Sequence, residues 1–247
     1  LDGEYCKIVT RDGRTYTGTI LSNSPSAHVY DDSKNVSRTD MTMHVRIDEC
    51  VSSKKEAEEL GIMPGDYICI DPKTTITPSG FIKSRFLDDK LSVAILYGLL
   101  KTMKEEFIIP HDTWYFLIST YEEVGHGCAY IPEEIKEVIA VDMGCIGKDL
   151  SCTERDVSIC AKDSSGPYDY QMTTKLINLA KDNELSYAVD IYPFYSSDVS
   201  ASLRGGQDIR GALIGPGVAA SHGMERSHVD AVENTMKLLI AYMTKKD

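Results

Sequence analysis

Hydrophobic residues in the first 77 positions either alternate with polar ones or form short runs. Such runs predict β-strands, here in YCKIVT, TYTGTIL, MTMHVRI and DYICIDP, with the turn sequences RDGR, SNSPS and MPGD between them. Only SSKKEAEELGI has the period of a helix, with Ser52 or Ser53 as its N-cap and Gly61 as its stop. We therefore predict a small β-rich domain over residues 1–77, either a barrel or a sandwich.

From residue 78 onward, amphipathic helices alternate with apolar strands. Helices are predicted in DDKLSVAILYGLLKTMKEE, PEEIKEV, TTKLINLAKDNE, DVSASLRGG and SHVDAVENTMKLLIAYMTKK. Strands are predicted in TWYFLIST, VIAVDM, SYAVDIYPF and RGALIGPG. This alternation indicates an α/β domain over residues 78–247, with a mostly parallel sheet and helices on both faces. In such sheets, ligands bind at the carboxyl ends of the strands.

Composition and charge exclude several classes of partner. The net charge is −12, whereas a protein that binds nucleic acid or an anionic membrane needs a basic surface. No apolar run approaches the ~20 residues that cross a bilayer, and the first residues do not resemble a signal peptide. The seven cysteines include no CxxC pair and lie mostly in apolar runs, so we expect buried, reduced thiols. The chain is therefore predicted to be soluble and cytoplasmic.

Polar side chains follow several of the predicted strands. They are Asp88 and Asp89, Glu122 and Glu123, Asp142, and His222. Taken singly, the first two could be helix N-caps, Asp142 a turn residue and His222 an ordinary loop histidine. The adjacent pair Glu122 and Glu123 is harder to explain, because neighbouring carboxylates at an apolar edge repel each other and lose hydration. A cation is therefore expected near this pair.

Carboxylate oxygens together with an imidazole nitrogen suit divalent metals such as zinc, cobalt or manganese. Two metals about 3.5–4 Å apart would share one carboxylate, and a glutamate that binds neither could act on a bridging water. The sequence thus predicts a metal site at the rim of the α/β sheet.

The ordered segments SRFLDDK, YEEVGHGCA, AVDMG, YSSDVSASLRGG and HGMERSH resemble metallopeptidase family forty-two, the TET-type aminopeptidases related to glutamyl aminopeptidase. The resemblance covers nearly the whole chain. It implies that residues 78–247 are the α/β catalytic domain and that residues 1–77 are a barrel-like or PDZ-like domain inserted into it. It also implies a peptide substrate and two divalent metals per subunit in the complete protein, most simply zinc or cobalt, with manganese as an alternative.

The resemblance also implies roles for individual residues. Asp88 corresponds to the carboxylate that bridges the metals, and its peptide bond to Asp89 is expected to be cis. Glu122 corresponds to the general base. The remaining metal ligands correspond to Glu123, Asp142 and His222, with His228 as the alternative to His222. Asp198 matches a position near the substrate, although it could equally be a helix N-cap, as could Ser196 or Ser197.

The family's first metal ligand is a histidine in an HxDE-like strand end that precedes the inserted domain. None of the six histidines lies in such a motif. We therefore expect the N-terminal part of the family's pattern to be missing from the sequence, which leaves one metal short of a ligand.

The predicted function is hydrolysis of N-terminal residues from peptides, with Glu122 taking a proton from water. Two alternatives remain open at this point. One is a metal-dependent deacylase of N-acyl amino acids or modified dipeptides, and the other is a non-catalytic assembly subunit. The resemblance further implies a homo-oligomer, possibly a dodecamer.

Overall fold

The computed structural model describes residues 1–245 and divides into two compact units. The first is Leu1–Pro72, and the second begins at Lys73. Residues Thr75–Ile76 pair with strands of the second unit, so the chain leaves the first unit shortly before them.

The first unit is a four-stranded antiparallel sheet with one short helix. Its elements are β1 (Tyr5–Val9), β2 (Thr15–Ser22), β3 (Met43–Ile47), α1 (Lys54–Glu59) and β4 (Tyr67–Ile70). The strand order is β3-β2-β1-β4. Among the described residues, the edge strands β3 and β4 do not pair with each other, so the predicted barrel is wrong and the sheet is open.

Local sequence explains these elements. In β1, Cys6 and Ile8 are buried while their neighbours are more exposed, as expected for a strand with one covered face. Helix α1 begins after Ser53, whose hydroxyl accepts a hydrogen bond from the Glu56 amide. Gly61 follows the helix with a φ of 82°, a conformation that glycine adopts without strain.

The second unit contains the remaining helices and strands. Its helices are α2 (Leu87–Glu105), α3 (Tyr170–Asp182), α4 (Asp198–Arg204) and α5 (Val229–Thr244). Its strands are β5 (Thr75–Ile76), β6 (Phe81–Ser84), β7 (Glu137–Val141), β8 (Gly144–Cys145), β9 (Val157–Asp163), β10 (Gly166–Pro167), β11 (Tyr187–Ile191), β12 (Arg210–Val218) and β13 (Glu225–His228). The unit is therefore α/β.

Within residues 1–245, its main sheet is mixed, with three parallel and two antiparallel strand pairings. Strand β12 pairs in parallel with β7 and β8, and β9 pairs in parallel with β11. The two central strands, β9 and β12, are antiparallel to each other. A second, three-stranded antiparallel sheet has the order β13-β6-β5.

Helices lie on both faces of the main sheet, as predicted. Alternate residues of β12 point to opposite faces: Ala212 and Ile214 join the core formed with α2, α3 and α5, while Leu213 joins a smaller core. That smaller core contains Val199 of α4. The first core includes Leu99, Leu176 and Leu238, all fully buried, at a gain of about 1.5–3 kcal/mol for each such side chain.

Two predicted elements are wrong. TWYFLIST forms no strand, because its residues make no backbone hydrogen bond to any other described residue. Its side chains still alternate, with Trp114 and Phe116 packed on the core and Tyr115 and Leu117 exposed. PEEIKEV forms a turn and then enters β7 instead of forming a helix, because Glu137 already pairs with Arg210.

The cysteines agree only partly with expectation. All seven are free, but Cys50 and Cys69 are exposed instead of buried.

Of the helices in residues 1–245, none combines the length and apolar character that a membrane span requires.

Gly215 in β12 allows the end of β7 to approach closely. A Cβ atom at this position would lie 1.6 Å from the carbonyl oxygen of Asp142. The same stretch is fixed by the Asp142 amide, which donates to the Ile214 carbonyl at 2.9 Å. The absence of a side chain at Gly215 therefore determines where Asp142 lies.

We expect Gly215→Ala to lower the free energy of unfolding of the second unit by about 3 kcal/mol or more, because the methyl group overlaps the backbone. Urea unfolding followed by tryptophan fluorescence measures this, since Trp114 is the one tryptophan and packs against the core. The matched control is Gly147→Ala, where a Cβ meets no atom within 4 Å. Equal stability of the two variants would contradict the close approach.

Candidate metal centre

Asp88 reaches the site from the first turn of α2. The helix cap is Phe86, in a left-handed conformation with φ 63° and without a side-chain cap hydrogen bond. The Asp88–Asp89 peptide is cis, as the resemblance implied. Capping is therefore not the role of Asp88, whose side chain is only 9% exposed.

Glu122 and Glu123 lie in a single 3₁₀ turn, Glu122–Val124. Gly125 ends the turn with a φ of 81° and donates its amide hydrogen to the Glu122 carbonyl at 2.7 Å. The rings of Tyr121 and His126 stack beside the turn, with centroids 4.8 Å apart. This loop gives the two carboxylates different surroundings, because Glu122 is half-buried and Glu123 is exposed.

His222 lies in the tight connection between β12 and β13. Its φ is 61°, and its amide hydrogen is donated to Oε1 of Glu225 at 2.9 Å. Oε2 of the same carboxylate accepts the Asp88 amide hydrogen at 3.0 Å. Glu225 is 1% exposed, so one buried side chain ties together the backbones that carry Asp88 and His222. Glu225 is not among the site residues that the sequence predicts.

Three predicted ligands converge. Nε2 of His222 lies 3.3 Å from Oδ2 of Asp88 and 3.7 Å from Oε2 of Glu123. One ligand atom from each residue lies within 4.8 Å of the others. These separations let a single ion contact all three groups.

Asp142 borders this group from the end of β7. It is buried, and its Oδ1 accepts the Met143 amide hydrogen at 2.7 Å. Its side chain also interacts with the Asp88 carboxylate. The charges of Asp142 and Asp88 therefore influence each other.

Burial and mutual repulsion raise the pKa values of these carboxyl groups. Burial, followed by the charges of Glu123 and Glu225, raises the pKa of Asp88 to about 6. Burial, followed by the charges of Asp198 and Glu123, raises the pKa of Glu122 to about 7. Burial and the Asp88 charge hold the pKa of Asp142 well above its usual range.

This donor set fits a divalent metal. Carboxylate oxygens with one imidazole nitrogen are typical ligands of zinc. Buried like charges are also costly unless a cation offsets them. Asp88, Glu123 and His222 are the groups that would hold one ion, and Asp88 with Asp142 could contribute to a second.

His228, the alternative to His222, is engaged elsewhere. Its Nε2 donates to the Ser79 carbonyl at 2.8 Å, and its Nδ1 accepts the Asp230 amide hydrogen at 3.1 Å. The residue caps α5 and is 4% exposed. Both ring nitrogens therefore make hydrogen bonds at the N-terminus of α5.

Asp198 is the first residue of α4, and the N-cap is Ser197. The Asp198 carboxylate accepts hydrogen bonds from Ser119 and Cys128. Among the ionised groups, its charge has the largest effect on the Glu122 pKa. The negative charge of Asp198 therefore raises the pKa of the Glu122 carboxyl group.

Comparison with known proteins identifies the family of this chain. Residues 1–238 match the model of the M42 glutamyl aminopeptidase family. The chain belongs to this family, and so to the hydrolases that act on peptides. It is 49% identical over 244 residues to the Bacillus subtilis (strain 168) protein called "Putative aminopeptidase YhfE", covering 98% of this chain and 70% of that relative.

Solved structures share the fold. A TET aminopeptidase from a marine sediment Thaumarchaeota archaeon matches with a TM-score of 0.84 at 20% identity, over 100% of this chain and 71% of the other. The TET1 peptidase of Pyrococcus horikoshii, described as assembling into a tetrahedron or a large octahedral shell, matches with a TM-score of 0.80 at 22% identity, over 100% and 73%. At these identities the likeness concerns the fold.

We expect the 247-residue chain to bind one Zn²⁺ tightly in a calorimetric titration, because three ligand groups already converge. His222→Ala should weaken this binding by more than the roughly 10–100-fold that loss of an outer hydrogen-bond partner costs. His111→Ala is the matched control, an exposed histidine outside the cluster. Two equivalent tight sites, or unchanged affinity in His222→Ala, would contradict the ligand assignment.

Proposed function

We propose that the protein is a dinuclear-metal aminopeptidase in which Glu122 is the general base. The observation that carries this proposal is the position of Glu122. Its half-buried carboxylate has a pKa raised to about 7 and adjoins Glu123, which converges with Asp88 and His222. A base with a pKa near the working pH transfers protons efficiently in both directions.

In this proposal, Asp88, Glu123 and His222 hold one metal, and Asp88 and Asp142 contribute to the other. The resemblance assigns the remaining ligand of the second metal to an HxDE motif, which residues 1–247 do not contain. When bound, zinc or cobalt, or alternatively manganese, would lower the pKa of water and polarise the scissile carbonyl.

Glu122 accepts a proton from the attacking water and passes it to the leaving amine. The turn Glu122–Val124 supports this division of labour, because it fixes Glu122 directly beside the ligand Glu123. Two adjacent carboxylates thereby have different roles. This accounts for the pair that the sequence left unexplained.

Asp198 supplies a negative charge that suits the free ammonium group of a peptide N-terminus. Its effect on the pKa of Glu122 supports this role. An enzyme that requires this ammonium group removes residues from the N-terminal end. The peptide substrate and the aminopeptidase names of the relatives fit that specificity.

The finer organisation is inferred in the same way. The first unit would be the inserted domain of the family, and the chain would form a homo-oligomer, since its structural neighbours include a dodecamer and a tetrahedral assembly. The free cysteines suit a reducing compartment and support a cytoplasmic location.

Glu122→Gln is expected to lower turnover of aminoacyl nitroanilides by roughly 10²–10⁴-fold, because the amide cannot accept the proton of water. Zn²⁺ binding, measured by calorimetry, should stay close to that of the unchanged chain. Glu134→Gln is the control, an exposed carboxylate that accepts a hydrogen bond from the Tyr115 hydroxyl.

Three results would revise the proposal. Loss of Zn²⁺ binding in Glu122→Gln would mean that Glu122 and Glu123 have the opposite roles. Cleavage of N-acyl substrates alone would indicate the deacylase function. Zn²⁺ uptake without cleavage of either substrate class would leave a non-catalytic subunit.

A further inference from the structure

Two side-chain donors share one oxygen of Asp198. The Ser119 hydroxyl donates to Oδ2 at 2.6 Å, and the Cys128 thiol donates to the same atom at 3.3 Å. These donors flank the turn that carries Glu122, one before it and one after it. The loop that presents the proposed base therefore also holds the Asp198 carboxylate.

The second oxygen of Asp198, Oδ1, lies close to Gly127 and accepts no hydrogen bond from the described residues. Oδ1 is buried without a hydrogen-bond partner among the described residues. A Cβ atom at Gly127 would lie 2.3 Å from Oδ1 and 2.7 Å from Oγ of Ser119. Glycine at this position leaves the space that the carboxylate occupies. A buried acceptor with no partner is unusual in folded proteins and calls for a specific explanation, such as a catalytic role.

We infer that Ser119 and Cys128 are positioning residues that hold the Asp198 carboxylate for the ammonium group of the substrate. The inference rests on the proposed function and adds two residues to it. By donating to Oδ2, the two side chains limit rotation of the carboxylate and fix the position of its charge. The ammonium of a peptide N-terminus, or of the released amino acid, is the cation that this charge attracts.

Cys128 acts here as a hydrogen-bond donor and not as a nucleophile. The residue is 6% exposed. Burial, followed by the Asp198 charge, raises the pKa of its thiol to about 12. The thiol therefore keeps its proton at neutral pH and can donate it to Asp198. Because a thiol is a weak donor, Ser119 is expected to contribute more than Cys128.

The test compares two ligands that differ only in the ammonium group, L-leucine and 4-methylpentanoate. Their binding to the Zn²⁺-loaded 247-residue chain is measured by calorimetry, which requires no turnover. The unchanged chain should bind leucine more tightly. Ser119→Ala should reduce this preference by about tenfold, the effect of one lost hydrogen bond to a charged group, and Cys128→Ala should reduce it by less.

Two further variants separate positioning from general damage. Cys128→Ser keeps a donor and should retain the preference for leucine. Cys152→Ala removes another buried thiol and should change neither ligand's affinity. An unchanged Zn²⁺ stoichiometry verifies that each variant is folded, and Ser119→Ala carries the test if Cys128→Ala does not fold.

The inference is overturned if the unchanged chain binds the two ligands equally or binds neither. It is also overturned if Ser119→Ala and Cys128→Ala keep the full preference. Because no cleavage is measured, these outcomes are independent of the nitroanilide assay that tests the proposed function.

Discussion

The geometry of the site depends on the buried carboxylate of Glu225. This single side chain accepts backbone amide hydrogens from both Asp88 and His222. It lies in β13, which pairs with β6 in an antiparallel ladder that includes Glu225 and Ser84. The ladder sets the distance between the two ligand-bearing segments, and the carboxylate fixes their orientation. Charge-assisted hydrogen bonds of this kind are about twice as strong as neutral ones.

The rest of the site is built against apolar packing. Asp142 emerges from β7 next to Met143, which packs in a cluster with Leu87, at the start of α2, and Val218, at the end of β12. Rigid packing holds the carboxylates near one another despite their repulsion. The packing free energy of the fold therefore offsets the repulsion between the like charges. A bound cation would reduce that repulsion.

Three of the side chains that the sequence singled out lie together in the structure. Asp88, Glu123 and His222 could be selected because unusual polar residues follow apolar runs, and the structure brings them together. Glu225 could not be selected, although it is only three residues from His222, because a carboxylate that binds backbone amides has no periodic signature. Its position close to His222 in HGMERSH was the one signal in the sequence that could have pointed to it.

The hydrophobic pattern of the sequence failed to predict strands where side-chain burial and backbone hydrogen bonding do not go together. TWYFLIST is a continuous apolar run, which is typical of a buried strand, but apolar character says nothing about a hydrogen-bonding neighbour. Strand β9 was overlooked because its first four residues, Val157 to Cys160, are all buried, which removes the alternation. The close approach at Gly215 was invisible because it depends on a residue distant in the chain.

The distribution of cysteines has a practical consequence. Cys50 and Cys69 of the first unit are exposed, whereas Cys128, Cys152 and Cys160 of the second are buried. The partly covered Cys145 is also protected, since burial raises the pKa of its thiol to about 12. The thiolates of accessible cysteines are the nucleophiles that react with alkylating reagents. A maleimide dye at neutral pH would therefore label only the first unit and leave every cysteine near the metal centre unmodified.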